Sequence, residues 1–246
     1  MKRSLSESRV SWQAYASFRL QKARQYLGYF ATCLQPSTWC VDVGCGLGSM
    51  VQALTDTPVL PLGVDRSRDA LARACRFHGN CMYLRADAAC LPLRDAAVSC
   101  VVTISNLEHV DAPAEVLADL HRVLSAQGLL VAAFPPYWSP GGHHLYDYTL
   151  LPVQFLPNLW VRRLVLRKGD IGIVRAVAAW RQYAGLNRLT IRWFHKLANR
   201  YFACVKEKGL VFLPGPLPDL TLSVTKLPFW LRRFVVMFYM GIWRKQ

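Results

Sequence analysis

Asp42 stands two residues before the first of three alternating glycines, Gly44, Gly46 and Gly48, in the stretch VDVGCGLGS. Glycines spaced this way after an apolar run suit a strand-to-helix turn that lets a ligand approach the backbone closely. Two ligand classes use such a turn: dinucleotides, which bring a pyrophosphate, and nucleosides that carry a cationic tail. The glycines do not choose between them. A carboxylate at Asp42 does, because it repels a pyrophosphate and attracts a cation, by several kcal/mol at most across a cleft. Asp65, 21 residues after Gly44, has the spacing of an acid that binds ribose hydroxyls and serves either ligand. Asp87, followed by Ala88, supplies a third acid. Each of the three alone reads as a helix cap. Three in register with one glycine loop favour a ligand.

A second set of residues has the types needed for proton transfer. His109, in NLEHV, could act as a general base, since an unperturbed imidazole titrates near neutrality. Alternatively, Glu108 and His109 orient the loop that follows. The stretch GGHHLYDY offers His143, His144, Tyr146 and Asp147 for substrate contact or proton removal, or else forms a packed aromatic loop. Neighbouring histidines are half of a metal site. No matching acid or cysteine cluster is visible for them, so no metal is expected.

The elements that must position these residues read as strands alternating with helices. Short apolar runs at Trp39–Val43, Val59–Val64, Met82–Arg85, Val98–Ile104 and Leu129–Phe134 predict five strands. Helices are predicted at Ser49–Leu54, Arg68–Phe77 and Ala114–Leu124, the last ended by Gly128. This order implies an open parallel sheet with helices on both faces, whose ligands bind at the carboxyl ends of the strands. The glycine loop, Asp65, Asp87, Asn106–His109 and the segment from Pro135 all follow strand ends. Residues 9–35 form a helical cover. Residues 136–200 read as a basic, mostly helical insertion, a lid over the strand ends. Tyr201–Val205 and Phe234–Trp243 are the remaining strands, joined by a Pro-rich stretch over 214–228. The whole reads as one domain.

The chain carries a net charge of +15, and it is unevenly spread. Residues 1–150 hold 13 Lys/Arg and 12 Asp/Glu, whereas 151–246 hold 17 and 3. The basic residues of the insertion include Arg162, Arg163, Arg167, Lys168, Arg175, Arg181 and Arg188. They suit an anionic partner: a phosphate-bearing or membrane-embedded substrate, or RNA. The eight cysteines form no C-x-x-C pair, the N-terminus lacks a signal-peptide core, and no run is long enough for a membrane span. A reduced, cytoplasmic protein is expected, with contact at a membrane surface. Within the final run LPFWLRRFVVMFYMGIWRKQ, Phe234–Trp243 has no polar face and reads as a strand buried on both sides, the alternative being a helix at a membrane interface.

The order and spacing of VDVGCGLGS, LGVDRSRDALARA, RADAACLPLRDAAVSCVV and SNLEHVDAPAEVLADLHRVLSAQGLLVAAFPP resemble class I S-adenosylmethionine-dependent methyltransferases. The likeness covers about residues 38–135 and is nearest the group similar to ubiquinone/menaquinone C-methyltransferases. It implies a Rossmann-like sheet of seven strands, the last reversed. It also implies S-adenosylmethionine as cofactor and S-adenosylhomocysteine as product. The Gly44, Cys45, Gly46, Gly48 loop would then approach the methionine part, with Asp42 at its amino group. Asp65, beside Arg66, would bind the ribose hydroxyls, Asp87 and the Ala88 backbone the adenine, and Asn106–His109 would flank the transferred methyl group. Ser99 stands where the family commonly has an acid, and Ala126-Gln127-Gly128 where it usually has Pro-Gly-Gly. The implied acceptor is a small molecule or a lipid-linked, anionic intermediate rather than nucleic acid. An RNA-modifying or RNA-binding protein and a cofactor-binding regulator without methyl transfer are the alternatives.

Overall fold

The β-branched and apolar run at residues 39–43 forms β1 (Trp39–Val43), and its last four residues are buried. The computed structural model describes residues 4–139, 142, 144–145, 153–167, 173–211, 220–222, 228 and 236–246. From β1 the chain passes through α2 (Ser49–Leu54), β2 (Leu60–Asp65), α3 (Arg68–Phe77), β3 (Met82–Arg85), β4 (Val98–Ile104), α4 (Pro113–Val123) and β5 (Leu124–Phe134). Ahead of it lies α1 (Ser4–Phe30). After it come α5 (Asn158–Arg167), α6 (Ile173–Ala184), α7 (Ile191–Ala198), β6 (Phe202–Val211), β7 (Leu220–Leu222) and β8 (Phe238–Lys245).

The strands hydrogen-bond in the order β3-β2-β1-β4-β5-β8-β6-β7. β1 runs parallel to β2 and β4, and β2 runs parallel to β3, as the alternation of strand and helix requires. The register pairs Val43 with Val64 and Asp65 with Arg85, which brings the carboxyl ends of β1, β2 and β3 to one edge. β8 inserts between β5 and β6 with six consecutive buried residues, so the aromatic C-terminal run is a sheet core strand over those residues.

Two compact units are resolved by their internal contacts. One comprises the chain to Ile104, Glu115–Val131 and Arg244–Gln246, and the other Ser105–Ala114 with Ala132–Trp243. In the first, Val41, Val43, Val51, Leu54, Val101, Leu117 and Leu120 form a solvent-free core. In the second, Tyr137, Leu145, Val153, Val161, Val165 and Tyr183 pack together between α5 and α6.

Some boundaries differ from the sequence reading. Gly128 does not end α4. The helix stops at Val123 and the chain turns extended at once, with Leu124 fully buried. Gly128 instead follows Gln127, whose φ of 62° kinks β5, and a Cβ on Gly128 would press the Ser125 carbonyl at 2.9 Å. The Pro-rich stretch contains a strand, β7, antiparallel to β6, so the described residues form an eight-stranded sheet where about seven strands are expected. Ser99, in the place of the family's acid, holds the scaffold: its hydroxyl bonds the Thr38 hydroxyl at 2.6 Å and donates to the Trp39 carbonyl at 3.2 Å.

Candidate active site

The glycine loop is shaped by three left-handed residues, Gly44 (φ 80°), Gly46 (φ 53°) and Gly48 (φ 75°), conformations that only glycine takes without strain. The amides of Gly44 and Cys45 both donate to the Val64 carbonyl, at 2.8 and 3.0 Å, which ties the loop to β2. The Gly46 amide donates to Asp65 Oδ2 at 2.9 Å, and the Ser67 amide donates to Asp65 Oδ1 at 2.8 Å. Asp65 therefore sets the loop, and each oxygen keeps a further lone pair for a ligand hydroxyl.

The three glycines do different things. A Cβ at Gly46 would meet nothing within 4 Å, so the loop is open on that side. A Cβ at Gly48 would run into the Tyr83 ring and hydroxyl, so packing accounts for that glycine without a ligand. Cys45 is buried, with its sulfur 3.0 Å from where a Cβ on Gly63 would lie, and burial pushes its thiol well above the ordinary range. Only its backbone faces a ligand role. Arg66 is exposed, and its carbonyl accepts from Arg85 Nε at 3.2 Å.

Asp42 is 3% exposed at the end of β1. Burial raises its carboxyl from 3.8 to about 7; Arg19 on α1 pulls it down in part and Asp65 adds to the rise. A carboxyl poised near neutrality in a buried position ionises readily when a cation settles beside it. Asp87 is exposed and accepts from the Ala89 amide at 2.9 Å, while Ala88 is half-buried. The loop after it is held by Arg122, which donates to the Leu91 and Leu93 carbonyls at 2.9 and 2.8 Å and to Asp95 and Asp119. Nothing in the sequence singled out Arg122: Asp119 is three residues before it, but Leu91, Leu93 and Asp95 lie 27 to 31 residues away along the chain.

In the second unit, Asn106 precedes a 3-10 turn, Leu107–His109, directly after β4. Glu108 is 3% exposed, and its Oε1 lies 3.9 Å from His109 Nε2 and 3.7 Å from His144 Nε2. The two imidazoles meet edge to face with centroids 4.9 Å apart. Glu108 is thus an acid beside His144 of the GGHH stretch, which the sequence did not reveal. It sits beside His109, and only the return of the chain brings His144 to it. The turn is clamped by Asn187, whose Nδ2 donates to the carbonyls of Leu107 at 2.6 Å and Val110 at 2.8 Å, while its amide donates to that of Glu108 at 3.0 Å. His143, Tyr146 and Asp147 lie outside the described residues, as does Lys168.

Comparison with known proteins matches residues 41–132 to a family described as a methyltransferase domain. The structure of an S-adenosylmethionine-dependent methyltransferase from Thermotoga maritima superposes with a TM-score of 0.64, covering 98% of this chain and 96% of that one at 16% identity. Residues 41–132 carry a methyltransferase domain. The fold is the mostly parallel, Rossmann-like sheet of S-adenosylmethionine-dependent methyltransferases. An uncharacterized protein of a Streptomyces fradiae transposon is 31% identical over 67% of this chain and 46% of its own length. A Bacillus subtilis protein, provisionally named a 23S rRNA (guanine-N1) methyltransferase, is 24% identical over 75% of this chain and 64% of its own length. The chain spans less than two thirds of either relative. The domain implies S-adenosylmethionine, and the residues present fit it: an open left-handed glycine, a buried acid for a cation and an acid with free lone pairs for hydroxyls.

Proposed function

We propose that the protein transfers a methyl group to a hydroxyl or amine of a lipid-linked acceptor presented at an anionic membrane surface. S-adenosylmethionine supplies the methyl group already activated on a sulfonium, so the protein's own task is alignment and exclusion of water. Asp42 accepts the cofactor's ammonium, giving up its proton as the cation arrives. Asp65 receives the ribose hydroxyls on lone pairs that the Gly46 and Ser67 amides leave open, and Asp87 with the Ala88 backbone borders the adenine. The buried Asp42 beside a glycine loop tied to Asp65 is the observation that carries the cofactor reading.

The acceptor class rests on α5. Phe155 and Leu156 just ahead of it are 54% and 42% exposed, and Leu159 and Trp160 in its first turn 54% and 64%. Arg162, Arg163 and Arg167 are exposed along the same helix, while Val161 and Val165 are buried on its other side. Large apolar side chains followed by arginines suit insertion into a bilayer interface with the guanidiniums among anionic headgroups. Among the described residues no helix is long and apolar enough to cross a membrane, so the contact is peripheral.

A second reading, RNA modification, draws on the Bacillus relative's name and on the basic residues after 150. Exposed Leu159 and Trp160 favour the lipid. The two part in one assay: tritiated S-adenosylmethionine is incubated with the protein and either an organic-solvent lipid extract or total RNA. Label in the lipid phase is expected. Label in RNA alone would replace the lipid reading, and label in neither across a wide acceptor set would favour a non-methylating regulator.

A further inference from the structure

We propose that Glu108, His109 and His144 bind one divalent first-row transition-metal ion. The site is argued from these residues alone; only its use in methyl transfer rests on the reading above. One ligand atom from each residue lies within 4.8 Å of the other two. Three atoms so spaced always share a point about 2.8 Å or less from each, and bonded imidazole nitrogens or carboxylate oxygens stand about 2.0–2.2 Å from zinc. Closure by roughly half an ångström completes the site.

The surroundings are those of a built site. Glu108 is buried at 3% exposure, His144 is 16% exposed and His109 is 28% exposed, so one flank stays reachable from solvent. A buried carboxylate flanked by two imidazoles is a donor set that one shared cation suits. His144 is held with φ at +55°, a left-handed conformation that side chains adopt only where the surroundings impose it, next to a fully buried Leu145. Asn187 fixes the turn that carries Glu108 and His109 through three hydrogen bonds to its backbone carbonyls, which holds two of the three ligands in place. Two imidazoles and one carboxylate select zinc, iron, cobalt or nickel over magnesium and calcium, and three protein ligands leave positions open. An acceptor hydroxyl taking an open position loses its proton to solvent more readily, because the ion stabilises the oxyanion.

The test uses the full chain loaded with cobalt(II) and then challenged with zinc. Visible d–d absorption with about one cobalt per chain is expected, displaced by zinc. Glu108→Gln and His144→Ala should weaken cobalt binding about 100-fold or more, the upper range for disturbing a site's supporting groups. Both variants should still bind S-adenosylhomocysteine by calorimetry, which separates loss of the metal site from failure of the cofactor reading. If either variant fails to fold, X-ray absorption on the wild-type cobalt protein decides, with two imidazole scatterers expected. Absence of stoichiometric cobalt, retention of binding in folded variants, or a first shell lacking two imidazoles overturns the proposal.

Discussion

Replacing Asp42 by Asn should stabilise the cofactor-free protein while weakening its hold on S-adenosylmethionine. The carboxyl rises from an ordinary 3.8 to about 7, first because it is buried, then through Asp65, with Arg19 opposing. At 1.36 kcal/mol per pH unit that rise is worth on the order of 4 kcal/mol. The folded state holds the proton more tightly than the unfolded chain. Stability is therefore unaffected below pH 4, falls as pH climbs from about 4 to about 7, and carries the whole penalty above that. Asn, close in shape and neutral throughout, removes the penalty. In a chain of this size 1 kcal/mol moves Tm by about 2–4 °C, so scanning calorimetry at pH 8 should show the variant higher by about 5 °C or more, with little difference at pH 4.5. Binding moves the other way. Loss of a charge-assisted hydrogen bond to the ammonium costs about 1.5–3 kcal/mol, or at least a tenfold loss of affinity at pH 8. Wild-type affinity should also fall as pH drops below 7, and the variant's should not. A variant no more stable at pH 8, or one that binds the cofactor as tightly and with the same pH profile, would refute the assignment of Asp42.

Asn187→Ala removes two side-chain hydrogen bonds to carbonyls of the 107–110 turn and should cost about 1–3 kcal/mol in urea unfolding. It should also loosen cobalt binding about tenfold. Gly46→Ala should fold with about 1–2 kcal/mol of strain yet lose cofactor binding, since its missing Cβ faces open space. Gly48→Ala should instead fail to fold well until Tyr83→Ala relieves the clash, as circular dichroism melts can show. Leu159→Ser with Trp160→Ser should abolish sedimentation with phosphatidylserine vesicles and leave homocysteine-product binding intact, whereas unchanged sedimentation removes α5 from the interface. Tyr239→Phe deletes hydroxyl bonds to Glu207 at 3.0 Å and His195 at 3.2 Å, whose side chains pair with each other at 2.9 Å, and should lower stability by about 1–3 kcal/mol.

The first five strands were legible because each is a short apolar run closed by a residue such as Gly44, Asp65 or Pro135, and period and punctuation agree there. Asp42, Asp65 and Gly46 were singled out for the same reason: all lie within three residues of a strand end. What the sequence hid depends on distant parts of the chain meeting. Gly48 looks like its neighbours, and only the position of Tyr83 on β3 shows that packing demands it. Glu108 and His109 are adjacent, but their partner His144 arrives after β5, 35 residues later, so no spacing rule finds the trio. Asn187 and Arg122 bind carbonyls, which leave no trace in residue type. Gly128 was misplaced because glycine ends helices and kinks strands alike.

The central claim is that acids around the glycine loop select a nucleoside with a cationic tail over a dinucleotide. The direct measurement is calorimetric titration of the protein at pH 8 with S-adenosylmethionine and, separately, with NADH, for wild type and Asp65→Ala. One S-adenosylmethionine per chain, no heat from NADH and loss of binding in Asp65→Ala are predicted. Binding of NADH, or S-adenosylmethionine affinity unchanged in Asp65→Ala, would contradict the account.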